Sequence, residues 1–319
     1  MKLSVLPSTV ALAAALTAPV LAHEPQAAPQ SPAAAQQPAV PPQQPDWAAV
    51  EIKSEKVAEG LYMLTGRGGN IGLSVGKSGA FVIDDQYAPL TDKILAAIKA
   101  ITPDPVRFVV NTHWHSDHTG GNESMGKAGA FVVAHENVRK RMSSEQFVTL
   151  LQRKVPASPE AALPVVTFAE SITFWWNDDE VRVFHMPPSH TDGDAVVRFV
   201  KADVVHAGDT FFNGGYPVID TSSGGGIDGM IAVADRLLAA TTDTTRIIPG
   251  HGPLATRSDL QAYRDVLKAV RDRVARLKAE GNSRDAVIAA KPTADFDAKW
   301  GQGFIKPDLI TGVVYDSIP

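Results

Sequence analysis

The sequence predicts a layered α/β sandwich made of two β-rich halves, each with its own helices. Three observations point there. Short apolar or alternating runs of strand length recur along the chain, helical patterns fall between them, and after "VRFVVNTH" the strand series begins a second time. The polar residues with chemical potential all fall just after strands, where loops converge on one edge of such a sandwich.

The elements follow in order. "GLYMLTG", "IGLSVG" and "GAFVIDD" are apolar or alternating runs closed by Gly or Asp, as consecutive strands are. "PLTDKILAAIKAI" has apolar positions at helical spacing and is stopped by Pro103 and Pro105. "VRFVVNTH" reads as a buried strand whose carboxyl end delivers a histidine-rich loop. In the second series "AFVVAH", "ITFWW", "EVRVFHMP", "AVVRFV", "DVVHAGD" and "RIIPGHG" read as strands, with helices near 136–152, 227–240 and 257–280. Beyond residue 255 the pattern suggests one long helix and a short tail. In that tail "FIKPDLITGVVYDSI" has alternating apolar residues that fit either docking on the domain or contact with a partner. Trp175 and Trp176 project to opposite faces of a strand, so at least one belongs to a core.

Composition bounds the class of protein. Residues 1–22 have one positive side chain, Lys2, then an apolar Ala/Leu/Val run ending in Val20, Leu21 and Ala22, which reads as a secretory signal peptide and predicts a periplasmic or secreted protein. Residues 23–45 are almost entirely Ala, Pro and Gln, too poor in apolar bulk to offset the entropy of ordering, and read as a disordered linker. Residues 46–319 remain, long enough for one large domain or two small ones. No later stretch is long and apolar enough to cross a bilayer, so no stable membrane insertion is expected. The chain has no cysteine, hence neither disulfides nor thiol chemistry, and a formal charge of −5 without a basic block argues against nucleic acid as a partner. A small-molecule substrate is the expected partner, and oligomeric state has no signature in the sequence.

The segment "NTHWHSDHTGG" packs three of the chain's nine histidines and an aspartate into six positions. His113 and His115, two apart, would present both rings to the same side of an extended segment, with Asp117 and His118 facing a neighbouring position after a turn. Neutral imidazoles and a carboxylate are ligands for zinc or a similar borderline ion, and such crowding is costly without a cation.

This His-x-His-x-Asp-His segment resembles the signature of the metallo-β-lactamase superfamily. "PPSHTDGD" with His190, "HAGDTFF" with Asp209 and "IIPGHGP" with His251 follow in the order of that family. The resemblance implies a four-layer αββα sandwich and two zinc ions per chain. One metal would be held by His113, His115 and His190, the other by Asp117, His118 and His251, with Asp209 between them. A hydroxide shared by the two metals would attack a carbonyl, and Asp117 would be catalytic by orienting it. Asp84 matches an aspartate that props the histidine loop, and a strand-end cap is the alternative reading of it.

The resemblance implies a hydrolase of a cyclic amide or ester, β-lactams first. Two departures temper it. Asp209 stands where the nearest lactamase subclass has cysteine, and Phe212 where that subclass has a lysine to grip the β-lactam carboxylate. They bring the ligand set nearer to the glyoxalase II, lactonase and arylsulfatase-like branches, so that a lactonase, an esterase or a glyoxalase II-like thioesterase is the alternative, although export fits a glutathione thioester poorly. A mononuclear iron dioxygenase and a binding protein with a vestigial site are the other readings, and the complete ligand set speaks against both. His135 and His206 read as structural, His185 as nearer the site, and the glycine loops "GRGGN" and "NGGYPVIDTSSGGG" as walls of the site or simple turns.

Overall fold

Strands form where the sequence alternates or runs apolar, and in the computed structural model, which describes residues 45–319, they assemble into two large sheets. The first begins as an antiparallel meander of β1 (Lys53–Ala58), β2 (Leu61–Thr65), β3 (Ile71–Ser74) and β4 (Ala80–Ile83). Helix α1 (Thr91–Ile101) carries the chain over to β5 (Val106–Val110), parallel to β4. The short helices α2 (Ser116–Thr119) and α3 (Asn122–Lys127) lead to β6 (Phe131–His135), followed by α4 (Glu136–Met142). A separate two-stranded ribbon of β7 (Gln146–Val148) and β8 (Arg153–Val155) precedes β9 (Val166–Phe168), which completes the seven-stranded sheet beside β6.

The second sheet holds β10 (Ser171–Trp176), β11 (Asp179–His185), β12 (Ala195–Phe199) and β13 (Val204–Phe212), antiparallel to one another. After α5 (Ile227–Ala240) it ends in β14 (Arg246–His251), parallel to β13. Helices α6 (Arg257–Ala279), α7 (Arg284–Ala289), α8 (Asp297–Trp300) and α9 (Pro307–Ser317) follow.

The period of two in the strands sorts side chains into layers. In β4, Phe81 and Ile83 point into a core shared with Val181, Val183, Val197 and Phe199 of the second sheet. Their neighbours Ala80 and Val82 face Ile94 and Ile98 of α1 and Met125 of α3. In the second sheet Val204 and Ile248 face inward, while Val205 and Ile247 pack outward against Val233 and Leu237 of α5 and Leu260 and Tyr263 of α6. Helix, sheet, sheet, helix is the four-layer αββα sandwich. Each fully buried aliphatic or aromatic side chain in it contributes roughly 1.5–3 kcal/mol relative to exposure.

Several elements differ from the sequence reading. The helix near 136–152 stops at Met142, because Ser143 and Ser144 end it and the ribbon β7–β8 takes over. The chain beyond 255 is four helices rather than one, and the alternating tail is α9, opened by Pro307 at its first turn and docked through Ile310, Val314 and Ile318 on the outer core. Trp175 is 77% exposed, whereas Trp176 packs edge-on against Phe108 at 5.2 Å.

The signal-peptide segment 1–22 and the linker up to residue 44 lie outside the described residues. Among the described residues no helix is long and apolar enough to cross a membrane.

Candidate metal centre

The parallel strands converge their carboxyl ends on one edge, and the chemistry-bearing residues collect there. Asp84 follows β4, the histidine segment follows β5, and His251 ends β14, while Asp209 sits inside β13 and His190 in the loop between β11 and β12. Asp84 adopts φ +60°, in the left-handed region that aspartate tolerates better than most residues. Its carboxylate thereby turns back under the histidine loop. There it accepts from the backbone N–H and the hydroxyl of Thr112, each at 2.7 Å.

Four of the imidazoles are oriented by a partner on the far nitrogen. The Nδ1–H of His118 donates to Asp84 Oδ2 at 2.7 Å, and that of His190 donates to the carbonyl of Val218 at 2.8 Å. The Nε2–H of His115 donates to Asp220 at 3.0 Å. Thr112 gives its only hydroxyl proton to Asp84, so its oxygen accepts from Nδ1–H of His113 at 3.0 Å. These partners fix the tautomers and leave lone pairs on Nε2 of His113, His118 and His190 and on Nδ1 of His115.

The lone pairs converge. Nδ1 of His115 and Nε2 of His190 face each other at 2.8 Å, and Nε2 of His118 lies 3.3 Å from Nε2 of His251. Nε2 of His113 is buried with no hydrogen-bond partner, as is Oδ1 of Asp209. Opposed lone pairs and orphaned buried polar atoms are unfavourable unless a cation coordinates them. Among the described residues three groups have ligand atoms within 4.8 Å of one another: His113, His115 and His190; His113, His118 and Asp209; and Asp117, His118 and His251. The donor set therefore fits metal ions, and its imidazole and carboxylate chemistry suits zinc or a similar borderline ion.

Asp209 joins the two ends of the cluster. Its Oδ2 lies 3.5 Å from Nε2 of His190 and 3.8 Å from Nε2 of His113. Its Oδ1 lies 3.1 Å from Nε2 of His118 and 3.4 Å from that of His251. All seven sequence-predicted ligands are thus brought together, with Asp209 facing both groups.

Electrostatics agree with coordination. Burial, assisted by the neighbouring His118, pushes His113 well below the usual histidine range, and burial lowers His190 as well, which keeps both as neutral ligands. Burial works against ionising Asp209, yet His118, His251, His113 and His190 hold it well below the usual carboxylate range. Asp117 likewise overcomes burial and is lowered to about 2 by His118 and His251. His251 overcomes burial through Asp209 and Asp117 and rises to about 9.

Close backbone approach completes the centre. A Cβ on Gly69 would fall 2.0 Å from Cε1 of His118, so only glycine lets the loop between β2 and β3 pass over that ring. Asn70 ties this loop to the end of β14, donating to the carbonyls of Pro249 at 2.9 Å and Gly252 at 2.8 Å.

Asp220 is a positioning residue that sequence reasoning missed, 105 positions from His115 in a Ser/Gly-rich loop with no periodic signal. It also accepts from the hydroxyl of Ser223, which in turn accepts from the indole of Trp114 at 3.2 Å. The other histidines take structural places. His206 contacts the carbonyl of Asn70 at 3.0 Å, and His135 and His185 stack on each other at 3.7 Å. Above the centre opens a cleft of about 570 Å³, bordered by both glycine loops through Arg67, Gly68 and residues 213–216.

With fold and centre described, the comparisons with known proteins place the chain. Residues 64–275 match the family model described as metallo-beta-lactamase superfamily, and the chain belongs to that superfamily. A hydroxyacylglutathione hydrolase of Polaromonas sp. is 28% identical over 194 residues, 58% of this chain and 66% of that protein's length. Among solved structures, a metallo-beta-lactamase from Pontibacter korlensis superposes with TM-score 0.56 at 22% identity, over 68% of this chain and 99% of that one. The stereoselective inverting sec-alkylsulfatase Pisa1 from Pseudomonas sp. superposes with TM-score 0.64 at 18% identity, over 83% of this chain and 50% of that one. At these identities the structural matches establish the shared fold.

Proposed function

We propose that the protein is a dinuclear zinc hydrolase that opens a cyclic amide or ester, with β-lactams the first substrate class to test, and that it works outside the cytoplasm. The observation that carries this reading is Asp209, whose two carboxylate oxygens face the His113/His190 and His118/His251 groups respectively. His113, His115 and His190 would hold one metal, and Asp117, His118 and His251 the other. When bound, such a pair supplies a water activated at neutral pH and a Lewis acid for the carbonyl under attack.

The chain's own residues do the rest. Asp117, ionised and 22% exposed on the floor of the cleft, accepts a proton or hydrogen bond from the attacking water and keeps it aimed. Asp84, Thr112, Val218 and Asp220 hold the four imidazoles in the orientation that coordination requires. Trp114, Phe212 and Leu150 wall the cleft with apolar surface, which excludes water from a substrate's non-reacting parts.

A thioesterase is the second reading, favoured by the relative named hydroxyacylglutathione hydrolase. Against it, α6 to α9 share the core of the second sheet, and of residues beyond 255 only Gly303, Phe304 and Ile305 border the cleft. The deciding experiment measures hydrolysis of a chromogenic β-lactam, a lactone and an acylglutathione thioester before and after chelation and zinc replenishment. Zinc-restored turnover of the β-lactam or lactone is expected. Turnover of the thioester alone would transfer the assignment, and turnover of none would refute the hydrolase.

A further inference from the structure

The cleft has two cations that the proposed chemistry leaves unused. Arg67 lies in the loop between β2 and β3, just before Gly68, whose backbone is so close to the centre that a Cβ there would sit 3.0 Å from the carbonyl of Asp117 and 3.4 Å from the ring of Tyr87. Arg153 opens β8 on the ribbon that forms the neighbouring wall. Both line the cleft together with Tyr87. Several arginines elsewhere are committed to carboxylates, among them Arg141 to Asp192, Arg264 to Asp235 and Arg273 to Asp295. Among the described residues neither Arg67 nor Arg153 holds a carboxylate, and the cleft has no lysine.

Much of the remaining lining is apolar. Phe212 stacks on His251 with ring centroids 5.2 Å apart and planes 12° from parallel, leaving no positive side chain at that position. Leu150, Leu151 and Phe304 add further apolar surface, with Leu151 49% and Phe304 70% exposed.

We propose that Arg67 and Arg153, with the hydroxyl of Tyr87, form a subsite for the carboxylate of an amphiphilic substrate whose aliphatic or aromatic part lies on Leu150, Leu151 and Phe304. That this anion belongs to the molecule being hydrolysed rests on the reading above. Two guanidinium groups suit a carboxylate because each presents paired donors to its two oxygens. Burial, then the charge of Asp117, raises the Tyr87 phenol to about 12 against the pull of both arginines, so it stays a hydrogen-bond donor.

The test compares binding of naphthoate and naphthamide, followed by tryptophan fluorescence, in the wild type and in Arg67→Gln/Arg153→Gln. Both side chains are exposed, so the variant is expected to keep its melting temperature, and carboxylate binding at the metals is common to both proteins. The preference for acid over amide should fall about 10- to 100-fold in the variant. An unchanged preference would overturn the subsite. In parallel, KM for a carboxylate-bearing β-lactam should rise more than KM for its methyl ester. A fallen binding preference without turnover of either β-lactam would keep the subsite and remove β-lactams as the substrate class.

Discussion

Asp84 and His118 are locked together at the bottom of the centre: the carboxylate Oδ2 lies 2.7 Å from Nδ1 of the ring, and both side chains are fully buried. Because the same oxygen accepts from Thr112, which in turn accepts from His113, one carboxylate sets two neighbouring imidazoles. Asp84→Asn keeps the shape and tolerates the positive φ, but it can present an amide N–H where an acceptor is needed. Metal affinity should drop about 10- to 100-fold, measured by chelator competition. Unchanged affinity would show that the pair is structural only.

Asp220 plays the same part for His115. Asp220→Asn should weaken retention of the metal at the His113/His115/His190 group while the Asp117/His118/His251 group retains its own, an asymmetry visible in stepwise metal titration. Equal loss at both steps would contradict this division.

Gly69→Ala tests close packing rather than charge. The added methyl would overlap the His118 ring, and relief requires shifting either the ring or the loop. About 1–3 kcal/mol of destabilisation, read from denaturant melts, and loss of bound metal are expected. A variant with wild-type stability and metal content would mean that the loop is free to move.

Metal uptake should release protons. With His251 raised to about 9 by Asp209 and Asp117 in spite of burial, that ring is protonated near neutral pH before metal arrives. A protonated ring cannot ligate, so apparent affinity should climb from about pH 6 towards 9 and then level off. Calorimetry in two buffers of different ionisation enthalpy measures the released protons, and zero release would contradict the assignment.

Much of this centre was readable in the chain because coordination chemistry leaves local marks. Three histidines and an aspartate in one loop, and isolated His190, Asp209 and His251 each just after or within an apolar strand, announce themselves. Asp220 does not, since a lone aspartate in a Ser/Gly-rich loop acquires its role only when β13 and its following loop fold across His115. The ribbon β7–β8 was hidden for a different reason. "LLQRK" is made of residues that suit a helix, whereas Gln152 takes φ +48° and the backbone N–H of Thr149 donates to Ser222 on another loop. For α9 the apolar residues fit two periods, and docking on α6, with Lys278 donating to the carbonyls of Tyr315 and Ile318, selects the helix.

The central proposal is that His113, His115 and His190 would hold one metal and Asp117, His118 and His251 another, with Asp209 facing both groups. Elemental analysis of purified, metal-replenished protein, for the wild type and for Asp209→Asn, tests it most directly. The account predicts two zinc equivalents per chain in the wild type and a loss from both groups in the variant. A single equivalent that survives the substitution would contradict it.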